Sequence, residues 1–313
     1  MEKKNALTRR SFLSQLGKGG ALAMGLSAGI GARAQYEAAG AGNNGAWQIG
    51  IYTRPWASED YRTALDAIAE AGYDYVGLMS GVVDGESGLL ITHQTPVETA
   101  QAIGEACEER GLVVPSVYGG GIPVAESLEA GIEAMRRLVD NCVAAGSTGL
   151  VMGGTGDPDL HDAYYEAIAE TCDYAAEHNV GLSVKPHGGL NATGAQCRDI
   201  VNNVGHDNFR IWYDPGNIFF YSDGELDPVD DAPDVNGLVA GMSVKDYVHP
   251  RDVNVTPGTG QVDFEAVMSR LWDGGFTGGP LIVETLASGT TEETIEEARK
   301  ARAFLEELVA GLG

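Results

Sequence analysis

From Trp47 onward, short apolar runs alternate with longer amphipathic stretches eight times, and few folds accept that rhythm. Strands are expected over residues 47–52, 75–79, 113–118, 149–152, 181–185, 210–213, 240–244 and 280–283. Residues 60–71, 96–110, 127–145, 163–178, 194–203, 264–274 and 292–312 read as helices. Most carry apolar side chains at three- and four-residue steps, as in Ala64, Leu65, Ile68 and Ala69. Glycine follows several of them (Gly72, Gly111, Gly146), the residue that most readily ends a helix. Strand and helix in turn require crossover connections between parallel strands. Eight such units close into a single (β/α)8 TIM barrel, an α/β fold for which about 270 residues is an ordinary size. A doubly wound open sheet is the alternative, but it would carry a glycine-rich fingerprint after its first strand, where Thr53-Arg-Pro-Trp56 stands. One domain is expected over residues 47–313, with long connections at 81–93 and 247–260 on the catalytic face.

Chemistry in such a barrel gathers at the carboxyl ends of the strands. Those ends read Thr53-Arg54-Pro55-Trp56, Tyr118-Gly-Gly-Gly121, Gly153-Gly-Thr-Gly-Asp157, Lys185-Pro-His187, Asp214-Pro-Gly-Asn217, Ser243-Val-Lys245-Asp246 and Glu284-Thr285, with His249 and Arg251 a little beyond the seventh. Lys185 and His187 lie two residues apart and would share one face of an extended strand. Glu284 closes an apolar strand, where a charge must find a partner. Asp214 could equally cap a helix or form a turn, and His249 and Arg251 could face the pocket or the solvent. The run Gly153–Gly156 could form an anion nest, but it lacks the strand-to-helix setting of a phosphate loop.

Two further features narrow the reading. The chain opens with Arg9-Arg10-Ser-Phe-Leu13, then a mildly apolar run from Ala21 to Ile30 and an Ala32-Arg-Ala34 cleavage site. That order resembles a twin-arginine export signal over residues 1–34, followed by a glycine-rich tether over 35–46. It implies the export machinery as a partner, a periplasmic or secreted location, and no stable membrane insertion after cleavage. The net charge is −25, and near −30 once residues 1–34 are removed. Such a chain repels nucleic acid and anionic lipid, and suits a salty habitat. Beyond the leader only Lys185, Lys245 and Lys300 remain, so two of three lysines stand at strand ends. Cys107, Cys142, Cys172 and Cys197 lack zinc spacing and read as small buried side chains.

Trp212-Tyr-Asp-Pro-Gly-Asn217, Ser243-Val-Lys-Asp246, Gly258-Thr-Gly-Gln-Val-Asp-Phe264 and Ile282-Val-Glu284 resemble the xylose isomerase-like superfamily of sugar phosphate isomerases and epimerases. The resemblance implies a proton transfer next to a carbonyl of a small carbohydrate, assisted by one divalent metal (Mn, Mg, Co or Zn) held by Glu, Asp, His and Glu. Asp214 and Glu284 match two of those ligands. Lys185 stands at the first glutamate and Ser243 at the histidine, so His187 is the expected replacement, giving a metal on His187, Asp214 and Glu284. Lys185, His187 and Glu284 are the expected catalytic residues, and Asn217, Lys245, His249, Arg251 and Trp56 the substrate-binding ones. The altered ligands also fit a lyase acting on keto-glycosides by β-elimination, or a non-catalytic sugar-binding barrel.

Overall fold

The computed structural model describes residues 46–312. The expected leader and all but the last residue of the expected tether lie outside them. Eight parallel strands form a closed barrel: β1 (Trp47–Tyr52), β2 (Tyr75–Leu78), β5 (Val113–Tyr118), β6 (Gly149–Met152), β7 (Gly181–Val184), β8 (Phe209–Tyr213), β9 (Val239–Val244) and β10 (Gly279–Val283). β1 pairs with β2 on one side and β10 on the other, which closes the ring. Outside it lie α1 (Tyr61–Glu70), α2 (Val97–Glu108), α3 (Leu128–Ala144), α4 (His161–Ala169), α5 (Cys172–Glu177), α6 (Gly194–Val204), α7 (Pro215–Tyr221), α8 (Pro228–Asp231), α9 (Phe264–Asp273) and α10 (Thr291–Ala310). Their apolar faces and the outward side chains of the strands form the main core. Each large side chain buried there contributes roughly 1.5–3 kcal/mol of burial free energy. No helix among the described residues is long and apolar enough to cross a membrane.

Inside the barrel, Tyr52, Met79, Val151, Trp212 and Ile282 form a separate buried cluster that plugs the lumen. Rings this large fit because glycines face them. A Cβ on Gly77 would come within 2.3 Å of the Tyr52 ring, and one on Gly241 within 2.3 Å of Trp212. The polar tips are satisfied: Ser116 Oγ donates to Tyr52 Oη at 3.0 Å, and Trp212 Nε1 donates to Ser243 Oγ at 3.2 Å. Ser243 is therefore part of this layer.

Two expectations needed correction, and one open alternative was decided. Residues 81–93 are no plain loop: β3 (Ser80–Val83) and β4 (Glu86–Leu89) form an antiparallel hairpin. Asp84 and Gly85 turn it with φ of 53° and 84°, the pair of positive angles that two-residue hairpins demand. The single helix expected over 163–178 is two, α4 and α5, and at the break Thr171 Oγ1 donates back to the Ala167 carbonyl at 2.8 Å. Asp214-Pro-Gly-Asn217 opens α7. Asp214 caps it by accepting from the Asn217 amide at 3.0 Å, and Pro215 fills a first-turn position where no amide hydrogen is needed. The four cysteines are buried free thiols.

Candidate active site

Five charged side chains meet at the carboxyl end of the barrel. Asp214 follows β8 and Glu284 follows β10. Lys185 follows β7, Lys245 follows β9, and Arg54 sits in a short 3-10 turn after β1. Lys185 Nζ lies 2.5 Å from Glu284 Oε2 and 2.8 Å from Asp214 Oδ2. Lys245 Nζ lies 2.6 Å from Glu284 Oε1, 3.1 Å from Asp214 Oδ2 and 2.9 Å from Asn217 Oδ1. Arg54 Nη1 reaches Glu284 Oε1 at 2.5 Å from the solvent side. Both lysines and both carboxylates are at most 3 % exposed, whereas the Arg54 side chain is 37 % exposed. Asn217 Nδ2 donates to the Pro186 carbonyl at 2.7 Å, which ties the start of α7 to the turn after β7.

Three cations against two carboxylates leave one positive charge in excess, so the cluster favours a ligand that carries or develops negative charge. Burial alone would raise the Glu284 pKa, but Lys185, Lys245 and Arg54 outweigh it and hold the carboxyl well below its usual range. The two lysines part company. Burial disfavours both ammoniums; for Lys185 the adjacent Asp214 and Glu284 overcome it and raise the pKa. For Lys245 burial prevails, helped by the positive Lys185 and Arg54, and the pKa is lowered.

Around this floor stands an aromatic rim. The His187 ring lies 6.1 Å from that of Tyr118 and 5.7 Å from that of Tyr221, centre to centre. His187 keeps an open edge to solvent, but desolvation by its neighbours and then the charge of Lys185 lower its pKa, which favours the neutral ring. A cavity of about 160 Å³ opens beside the cluster, lined by Arg54, Asn254, Glu284, Thr285 and Ser288 among others. Thr285 Oγ1 is buried there without a hydrogen-bond partner. A larger groove of about 430 Å³ lies on the outside between α4 and α6, and no member of the charged cluster lines it.

Lys185, Lys245, Asp214, Asn217 and Glu284 converge as candidates, and His187 stands above them. Three expected substrate-binding residues do not join. Trp56 is 2 % exposed and belongs to the main core, because the 3-10 turn carries it back toward α1. His249 is an exposed loop residue whose amide donates to Gln261 Oε1 at 2.6 Å. Arg251 pairs with Asp223 at 2.6 Å, and its guanidinium carbon lies 4.5 Å from the centre of the Phe220 ring. The sequence analysis named Arg54 and Tyr118 at strand ends without giving them a role, and passed over Tyr221. The signal for Arg54 was present: Tyr52 faces the lumen, and Arg54 follows it by two residues.

The expected metal trio of His187, Asp214 and Glu284 does not come together as a ligand group. Among the described residues no group of three or more His, Cys, Asp or Glu side chains is placed to hold a metal. The donor set explains why. Asp214 Oδ1 accepts from the Asn217 amide, Asp214 Oδ2 faces both lysines, Glu284 Oε1 faces Lys245 and Arg54, and Glu284 Oε2 faces Lys185. All four oxygens are engaged, and a dication would have to enter among three cations, so these residues do not fit a divalent metal.

A family described as xylose isomerase-like TIM barrel matches residues 65–308. An L-ribulose-5-phosphate 3-epimerase of Salmonella heidelberg (strain SL476) is 24 % identical, with 85 % of this chain and 96 % of that protein covered. A D-allulose 3-epimerase from Methylomonas sp., solved with D-allulose, superposes with a TM-score of 0.66 at 17 % identity, over 84 % of this chain and 97 % of that one. A xylose isomerase domain protein from Planctomyces limnophilus superposes with a TM-score of 0.62 at 19 % identity, over 85 % and 97 %. At such identities the structural likeness speaks for the fold alone.

Proposed function

This chain belongs to the xylose isomerase-like TIM barrel family, and from that premise we propose that it is an isomerase or epimerase of a small sugar. The buried charge cluster at the carboxyl end of the barrel, with one positive charge in excess, is the observation that carries the proposal. The relatives' names point the same way, since a 3-epimerase of a 2-ketose inverts the carbon next to the carbonyl.

The step such enzymes share removes a proton from that carbon and leaves negative charge on the carbonyl oxygen. His187 is the base: it is accessible, favours the neutral form, and stands between Tyr118 and Tyr221. The C–H proton passes to its ring nitrogen, the bond's electron pair becomes the second bond of the carbon–carbon double bond of an enediolate, and the carbonyl π pair moves onto oxygen. The carbonyl oxygen takes the charge above Arg54 and the lysines. Return of the proton to the neighbouring carbon, with the hydroxyl proton passing to the former carbonyl oxygen, isomerises the sugar; delivery of a proton from water to the other face of the same carbon, His187 keeping the one it took, epimerises it. The aromatic rim covers apolar faces of the sugar ring or chain.

The test is proton exchange with solvent. Purified protein is incubated in D₂O with D-allulose, D-fructose, L-ribulose and L-ribulose 5-phosphate, and carbon-bound deuterium is followed by NMR. Exchange at the carbon beside the carbonyl of at least one of them, abolished by His187→Asn, is expected; no exchange in any of the four defeats the proposal.

We also propose that the protein works outside the cytoplasm. The Arg9-Arg10 pair and the Ala32-Arg-Ala34 site support this; recovery of the protein only from the cytoplasm would refute it, and undiminished export after changing both arginines to lysine would refute the twin-arginine route.

A further inference from the structure

The cluster holds two carboxylates at the two positions where family resemblance places metal ligands, yet ammonium groups bridge them. Lys185 Nζ spans the pair at 2.5 and 2.8 Å, and Lys245 Nζ spans it again at 2.6 and 3.1 Å. Two ammoniums carry the total charge of one divalent ion. From this geometry we infer that the lysine pair has replaced the metal, and that Lys185 is the electrophile that meets the sugar oxygen in a metal-independent reaction. The inference deepens the sugar isomerase or epimerase reading and rests on it.

Hydrogen-bond valence separates the two lysines. An ammonium has three donors. Lys245 faces three oxygens, on Asp214, Glu284 and Asn217, and so has none to spare. It positions the carboxylates and the start of α7. Lys185 faces two oxygens and keeps one donor, on the side where the Tyr118 ring centre lies 5.9 Å away. His187 stands beside that ring. A substrate oxygen entering between Arg54 and the rim would take that donor, and its growing negative charge would meet an ammonium held rigid by two buried carboxylates. A fixed charge in a dry site needs no reorganisation as the reaction proceeds. Lysine scarcity agrees: of three lysines outside the leader, two are spent here.

The experiment has two arms. In the first, chelator-treated, desalted protein is titrated with Mn²⁺ in about 1 M KCl, where screening to about 3 Å suppresses attraction to the acidic surface, and free Mn²⁺ is read by electron paramagnetic resonance. No stoichiometric site is expected. One tightly held ion per chain overturns the inference, whatever the substrate proves to be. In the second arm, a ketose that exchanges deuterium is followed with EDTA present throughout. The rate is expected to be unchanged. Lys185→Ala should lose at least about a hundredfold, the scale of a charge-stabilising group, and regain part of it with methylammonium but not with Mn²⁺. Loss of wild-type exchange in EDTA, restored by Mn²⁺, overturns the inference and leaves the sugar reading intact. If no ketose exchanges, the sugar reading falls, and the Mn²⁺ titration still decides whether these carboxylates belong to lysine or to metal. Should Lys185→Ala fail to fold, the two wild-type measurements decide.

Discussion

Asp246 and Glu284 are buried carboxylates just past the ends of neighbouring strands β9 and β10, yet they are stabilised in opposite ways. Asp246 is held by backbone alone: Oδ1 accepts from the amides of Tyr247 and Val262 at 2.8 and 3.1 Å, and Oδ2 from those of Gly258 and Gly260 at 3.0 and 2.7 Å. Glu284 is held by three cationic side chains that reach it from other strand ends. Amides are fixed by the fold of the loop that bears them, so Asp246 organises residues 247–262 and offers nothing to a ligand. Long side chains can exchange a protein oxygen for a substrate oxygen, so Glu284 belongs to a responsive site. The most family-like stretch of the sequence, Gly258 to Phe264, thus supplies three of the four donors that wrap Asp246 and serves as scaffold. Gly260 fits that wrap closely, since a Cβ there would lie 2.3 Å from Asp246 Oδ1.

The largest contrast should come from Glu284→Gln. It leaves buried cations facing a neutral amide, and breaking a buried ion pair from one side costs about 3–5 kcal/mol. Urea unfolding is expected to report a loss of that size, with exchange activity abolished. A cost below about 1 kcal/mol would mean that the cations are solvated after all, which erases the distinction from Asp246. Next comes Lys185→Met, which keeps the stem and removes the charge. Its kcat should fall at least about a hundredfold, or about 2.7 kcal/mol of barrier. A loss below about threefold, with stability unchanged, would make Lys185 scaffold.

Asp246→Asn should cost about 1.5–3 kcal/mol, the scale of hydrogen bonds to a charged acceptor. Faster amide exchange should be confined to residues 247–262, with kcat nearly kept. If it lowers activity as far as Lys185→Met does, the loop is part of the reactive site. The smallest effects concern pH. Glu284 has a depressed pKa, so its stabilising contribution is full above the ordinary carboxylate range and is lost as pH falls toward the folded-state value. His187 also titrates below its usual value. Its unfolded form takes up a proton first, so stability declines as pH drops through about 6.5, by little because one ring edge is open. The acid limb of kcat/KM should lie below that pH; a limb at or above it would show that His187 is not the base.

The barrel could be read from periodicity because strand and helix periods leave separate marks, and all eight barrel strands stand close to where the pattern put them. The hairpin after β2 escaped because Ser80–Leu89 is glycine-rich, with only Val82, Val83 and Leu89 apolar, and its sole clear signal lies in Asp84-Gly85. Lys185, Lys245, Asp214 and Glu284 were legible as strand-end charges, but their pairing was not. Sequence separations of 99 between Lys185 and Glu284 and 31 between Asp214 and Lys245 are set by barrel closure, not by local pattern. Trp56 was expected at the substrate and lies in the core instead, because the 3-10 turn that buries it has no strong signature in four residues.

The plug of Tyr52, Met79, Val151, Trp212 and Ile282 beneath the charges makes the barrel a blind well. On the proposed function, a sugar that enters past Arg54 would have to leave as product by the same opening before the next molecule can descend. Product and substrate therefore queue for a single berth, so each should compete with the other in a simple mutually exclusive fashion, and traffic at the mouth sets a ceiling on turnover that chemistry at the floor cannot lift.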